Sequence, residues 1–190
     1  TQTVALACRK AEALLIYAGT GAVFPGDRTT PYTEFDAPRP SNIYAATKLA
    51  GEDLVRELWP RHLIVRGGWI FGGGAKDHKF VGKLAQLIVA GKAPLKAVND
   101  KVGAPTYAKD FMRGIRRLLD LECLGLFHMA NEGSATRYEV AVEIQKVLGD
   151  SRITVEPVSS DLFPLPAPRA SEALCNYKLR LMGQAPQRSW

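Results

Sequence analysis

The sequence predicts an α/β fold in which a mostly parallel sheet is covered by helices. Three observations predict it. Apolar runs of strand length, such as Leu14-Leu15-Ile16-Tyr17-Ala18 and His62-Leu63-Ile64-Val65-Arg66, alternate with segments whose apolar residues recur at helical spacing. Glycine and proline clusters punctuate the joints between them. With 190 residues, 46% of them hydrophobic, the chain has enough apolar mass for a real core.

Taken in order, residues 4–9 read as the tail of a helix and 14–18 as a buried strand. The stretch 25–40 is rich in proline and also holds Gly26 and Asp27, so it reads as a loop. Ser41 is the expected N-cap of a helix that runs to about Trp59, where Pro60 stops it. A strand over 62–66 follows, and Phe71-Gly72-Gly73-Gly74 supplies a turn open to positive φ. Phe80, Leu84, Leu87 and Ile88 share one helical face, as do Phe111, Ile115, Leu118 and Leu119 after a loop over 100–105. Residues 124–130 look like a strand. Thr136-Arg137-Tyr138-Glu139 matches a capping box opening a helix that carries Val140, Ile144, Val147 and Leu148, with Gly149 as its stop. A strand over 153–158 and a stretch containing Pro164, Pro166 and Pro168 close the pattern.

Composition excludes several classes of function. No apolar run approaches the roughly 20 residues that cross a bilayer, and the first ten residues lack a secretory pattern. No membrane partner is expected. Cys8, Cys123 and Cys175 are widely spaced, with no Cys-x-x-Cys, so neither a disulfide framework nor a metal site is suggested and a cytoplasmic setting fits. The net charge of +6 is scattered and accompanies no nucleic-acid motif, so nucleic acid is not the expected partner. A small phosphate-bearing molecule is as natural an anionic partner.

Chemistry concentrates in Pro40-Ser41-Asn42-Ile43-Tyr44-Ala45-Ala46-Thr47-Lys48-Leu49-Ala50-Gly51-Glu52. Tyr44 and Lys48 stand four apart on a helix and share a face. A phenol of reference pKa about 10 is a poor acid or base near neutrality, and a nearby ammonium would stabilise the phenolate and lower that pKa. Tyr44 would then protonate a carbonyl oxygen as hydride reaches carbon. Taken alone, the pair is equally a solvated helical pair.

The surrounding residues resemble the extended short-chain dehydrogenase/reductase family, and within it the dTDP-4-dehydrorhamnose reductases. The flanks Pro-x-Asn-x-Tyr and Thr-Lys-Leu-Ala-Gly-Glu carry the resemblance, as does residues 15–26, which is similar to the family's strand ending in Ser-Thr-Asp-Tyr-Val-Phe-x-Gly, with Pro31-Tyr32-Thr33-Glu34 after it. Residues 64–72 resemble the family's Leu-Arg-x-x-Trp-Val-Tyr-Gly strand and turn, and 99–107 its Asp-Gln-x-Gly-x-Pro-Thr-Tyr loop, with Lys101 in place of glutamine.

The resemblance implies a Rossmann-like sheet over residues 1–72 and a substrate-binding lobe over most of 73–190, with a segment near 100–130 returning to the sheet. It implies a catalytic triad of Thr20, Tyr44 and Lys48, where Thr20 binds the substrate carbonyl and Lys48 also holds the nicotinamide ribose of NADPH or NADH. Gly67 would pass the nicotinamide and Trp69 would line the nucleotide-sugar pocket, although Trp69 also reads as a core aromatic and Thr20 as an ordinary turn threonine. Arg169 is a candidate diphosphate contact, but Ala170 replaces the proline that usually follows it. His128 reads as structural.

Two features depart from the family pattern. Gly19-Thr20-Gly21-Ala22 stands where Ser-Thr-Asp-Tyr is usual, which puts substrate identity in doubt. The resemblance also begins within a helix after the family's fourth strand, and no Gly-x-x-Gly-x-x-Gly joins a strand to a helix in these residues. The 190-residue chain is therefore expected to hold the dinucleotide weakly, and an open sheet edge would favour association, a homodimer included. A non-catalytic binding subunit of the same fold, or a nucleotide-sugar epimerase or dehydratase, are the other readings of these residues.

Overall fold

A computed structural model describes residues 1–28, 30–149, 153–164 and 170–190. Its central feature is a three-stranded parallel sheet in the order β1 (Leu15–Thr20), β2 (His62–Gly67), β7 (Gly125–His128). All six residues of β2 are buried, because helices cover both of its faces and a strand so placed carries no polar alternation. On one face, Ala5 of α1 (Gln2–Lys10) and Val55 of α2 (Ile43–Leu58) pack on Leu15 and Ile64. On the other, Phe111, Ile115 and Leu118 of α4 (Ala108–Asp120) and Leu179 of α6 (Tyr177–Leu181) pack on Leu63, Val65 and Phe127.

The second lobe is built from smaller pieces. β4 (Leu95–Val98) pairs in parallel with β9 (Val155–Val158), under α3 (Phe80–Val89) and α5 (Arg137–Leu148). Leu84, Ile88, Leu95, Ala97, Ala141 and Ile153 form its core. β3 (Trp69–Phe71) pairs with β6 (Pro105–Tyr107), and β5 (Val102–Gly103) runs antiparallel to β8 (Ala135–Thr136).

Several expectations need correction. Asn42, not Ser41, caps α2: its carboxamide oxygen accepts the Ala45 N–H at 2.9 Å, so the helix starts one residue later. The loop expected over 100–105 contains β5 and runs into β6, strands of two and three residues that leave no periodic signal. From the stretch near 100–130, β7 joins the sheet beside β2 with α4 packed alongside, while β6 pairs with β3 and β5 with β8. β4 went unread because only Leu95 and Ala97 mark its buried face.

A buried ion pair fixes α2 on the sheet. Glu52, fully buried, accepts from Arg66 Nε at 3.0 Å and Nη2 at 2.6 Å, joining the helix to β2. Glu34, in the loop before α2, ties three segments together. Its carboxylate accepts the N–H groups of His128, Tyr177 and Lys178, so it satisfies the open donors at the start of α6 while anchoring β7.

Candidate active site

The carboxyl ends of β1 and β2 open into a cleft of about 1780 Å³ between the sheet and the second lobe. Clefts at this end of a parallel sheet are where such folds gather ligand-binding groups. Thr20, the last residue of β1, lines it. Its Oγ1 accepts the Ala22 N–H at 3.2 Å, capping a single turn over Gly21–Val23. Tyr44, in the first turn of α2, lines the same cleft and remains 55% exposed, so its phenol is reachable by a ligand.

Lys48, one turn on, faces the end of β1 rather than the cleft wall. Its Nζ donates to the Ala18 carbonyl at 2.6 Å and lies 4.5 Å from the centroid of the Tyr17 ring. Thr20 and Tyr44 thus share one cavity, and Lys48 of α2 rests its ammonium on the strand that ends in Thr20. Gly67 is not among the lining residues, whereas Gly68 is. A methyl group at Gly67 would meet Ile70 Cδ1 at 2.9 Å and Phe111 Cε2 at 3.0 Å, which gives that glycine a packing role. Arg169 lies outside the described residues.

Trp69 lies on the cleft wall and is held on several sides. Each of its two N–H groups donates once: the backbone N–H to the Ala104 carbonyl at 2.8 Å, and the indole Nε1 to Glu172 Oε1 at 2.5 Å. A methyl group at Gly103 would overlap the indole atoms Cε2, Cζ2 and Cδ2, so the glycine backbone packs directly against the ring. The Arg137 guanidinium also lies over the indole, 3.9 Å from its centroid. The Gly103-Ala104-Pro105-Thr106-Tyr107 stretch earns its residues here, as the support of β3.

Gly19 and Gly21 both lie in close quarters. A methyl group at Gly19 would meet Glu52 Oε1 at 2.8 Å and Arg66 Cγ at 2.9 Å, so the strand lies close on the buried ion pair there. At Gly21 the nearest atoms are Leu174 Cδ2 and the Glu172 carbonyl, at 3.1 and 3.2 Å. Ala22 lines the cleft with a methyl group alone.

The described lining carries Lys79, Lys83, Lys96, Lys101 and Arg137 against Asp161 and Glu172, a balance suited to an anion. Sequence reading missed Arg137 and Glu172. Arg137 had been visible only as the second residue of the capping box. His128 sits deep behind the cleft, where burial of the ring, and then the Arg66 charge, push its imidazole down to about 3. Its neutral ring donates Nδ1–H to the Cys175 carbonyl at 3.2 Å.

Gly72, Gly73 and Gly74 all have positive φ, but they lead into a single 3-10 turn over Gly74–Lys76, not a helix N-terminus. Among the described residues no cluster of His, Cys, Asp and Glu could hold a metal ion, and no helix is long and apolar enough to cross a membrane.

Comparison with known proteins places the chain in a family. The chain is 38% identical over its whole length to a dTDP-4-dehydrorhamnose reductase of Mycobacterium tuberculosis, and 31% identical, over 92% of its length, to one from Salmonella typhimurium. It spans 64% and 61% of those two proteins, so about three fifths of the length of its curated relatives. The crystal structure of dTDP-4-dehydrorhamnose reductase from Bacillus anthracis in complex with NADP matches all of the chain, with a TM-score of 0.93 and 35% identity, and 66% of that protein is covered. A UDP-glucose 4-epimerase of Thermus thermophilus shares the fold at a TM-score of 0.78 and 22% identity. The family described as RmlD substrate binding domain matches residues 1–190, and the chain belongs to that family.

Proposed function

We propose that the protein carrying this chain reduces a 4-keto-6-deoxy nucleotide sugar of the dTDP-4-dehydrorhamnose type, with NADPH, or NADH in its place, as hydride donor. The observation that carries the reading is the convergence of Thr20 and Tyr44 on one basic cleft, in a chain whose relatives are named for this reaction. When bound, the reduced nicotinamide supplies the hydride.

The residues of this chain do the rest. Thr20 already accepts from Ala22 N–H, which leaves its hydroxyl hydrogen to donate to the substrate carbonyl. Tyr44 gives its phenolic proton to the same oxygen as negative charge develops there. Lys48 moves its ammonium from the Ala18 carbonyl toward the nicotinamide ribose and stabilises the phenolate left on Tyr44. The basic wall holds the diphosphate, and Trp69 bounds the hexose.

The direct test uses the full-length protein with NADPH and a dTDP-4-keto-6-deoxyhexose, following loss of NADPH absorbance. Stoichiometric consumption with formation of the 6-deoxyhexose supports the reading. No consumption with either NADPH or NADH, in protein shown to bind both ligands, would overturn it in favour of a binding subunit.

A further inference from the structure

We infer that one ordered water molecule is bound in the core between Arg66 and His128, as a fixed part of the fold. Among the described residues, two buried side-chain atoms have no hydrogen-bond partner in the protein, Arg66 Nη1 and His128 Nε2. Arg66 is 1% exposed and His128 0%, so bulk solvent reaches neither. A polar atom so buried is costly unless it is paired. The two side chains lie together. Arg66 and His128 occupy paired positions on the neighbouring strands β2 and β7, which sends their side chains from the same face of the sheet. Both end against Phe24: Arg66 Cζ is 5.2 Å from the centre of that ring, and the His128 ring stands steeply to it with centroids 5.7 Å apart.

The two atoms are chemically complementary. Glu52 takes the Nε and Nη2 groups of Arg66, at 3.0 and 2.6 Å, so Nη1 is the guanidinium nitrogen left to donate. His128 Nδ1 lies 3.2 Å from the Cys175 carbonyl, which can only accept, so Nδ1 carries the hydrogen and the neutral ring presents a bare lone pair at Nε2. Burial, and then the Arg66 charge, keep that ring neutral. A donor and an acceptor side by side select the ligand. An anion would meet the Nε2 lone pair, and a cation would meet the guanidinium. Water suits both: its oxygen accepts from Arg66 Nη1, and one of its hydrogens goes to His128 Nε2. The bridge completes a line of contacts from Glu52 on α2, through Arg66 on β2 and His128 on β7, to the Cys175 carbonyl. It thereby couples the helix that carries Tyr44 to two strands of the sheet and to the segment before α6.

The test is a crystal structure of the full-length protein at a resolution that orders water, joined to NMR of the same protein isotope-labelled at its histidine nitrogens. The expected result is one water peak within hydrogen-bond distance of both Arg66 Nη1 and His128 Nε2. Magnetisation should pass from a long-lived water to the His128 ring protons, and the ring should carry its proton on Nδ1. Direct contact of the guanidinium with Nε2, or no peak between the two, would overturn the inference, as would a ring protonated on Nε2. His128→Phe supplies the second arm. Phenylalanine keeps a ring but has no lone pair, so the water peak should be lost while the Arg66–Glu52 contact is retained. A peak that persists there at full occupancy means that Arg66 holds the water without His128, and the bridge is wrong. Should His128→Phe fail to fold, the wild-type density and ring spectrum decide by themselves.

Discussion

Tyr17 holds Lys48 at two points: its hydroxyl donates to the Lys48 carbonyl at 3.2 Å, and its ring lies under the Lys48 ammonium at 4.5 Å. The strand thus fixes both the backbone and the charged end of a helical residue. Gly51 completes the fit, since a side chain there would overlap the Tyr17 hydroxyl. On the proposed function, Tyr17→Leu should lower turnover of the full-length protein by about tenfold, and Tyr17→Phe, which keeps the ring, by much less. Lys48→Met should both slow turnover and weaken NADPH binding, measured separately by kinetics and by fluorescence titration. A change in neither would reduce Lys48 to a solvated helical residue.

The Arg66–Glu52 pair gives a prediction about stability. Both side chains are almost wholly inaccessible, and removing the carboxylate would strand a buried guanidinium. Glu52→Ala should destabilise the protein by about 3 kcal/mol, read as a shift in the urea midpoint. A shift within the error of the measurement would mean that Arg66 finds water without Glu52.

These two contacts show how the sequence could and could not be read. The periodicity of Leu14-Leu15-Ile16 and of Phe111, Ile115 and Leu118 reports burial against neighbours in the same layer, so the sheet and its helices were legible. The capping box at Thr136 was legible for the same reason, because both partners lie within one turn. Arg137 was not legible as a site residue. Its meaning depends on Trp69, Phe80 and Gly103, which come from three separate segments and meet only once the lobe is folded.

His128 sets an acid limit. Its folded pKa, pushed down to about 3, lies below the value near 6.5 expected when unfolded, so only the unfolded chain gains a proton between these values. Stability from this group is complete above about pH 6.5 and is lost as the pH falls toward 3. His128→Gln should therefore show a flatter dependence of melting temperature on pH between about 7 and 4 than the wild type. Parallel profiles would assign the acid limit to other groups.

Trp69 is held by Gly103, Glu172 and Arg137, so its removal should act on structure and binding together. Trp69→Ala should lower the melting temperature and also raise the Michaelis constant for the nucleotide sugar, because Arg137 loses its platform. A Michaelis constant unchanged in a destabilised protein would mark Trp69 as a purely structural aromatic.

The central claim is that Tyr44 is the proton donor, and it is tested by Tyr44→Phe in the full-length protein. The substitution removes one hydroxyl from a side chain that is already 55% exposed, so the fold should be indifferent to it. The measurement is single-turnover oxidation of NADPH by the dTDP-4-keto sugar, with NADPH affinity determined alongside. The account predicts a loss of roughly a hundredfold or more in the rate of hydride transfer, with NADPH affinity little changed. A rate within a few-fold of the wild type would contradict it and would require the proton to come from another group in the cleft.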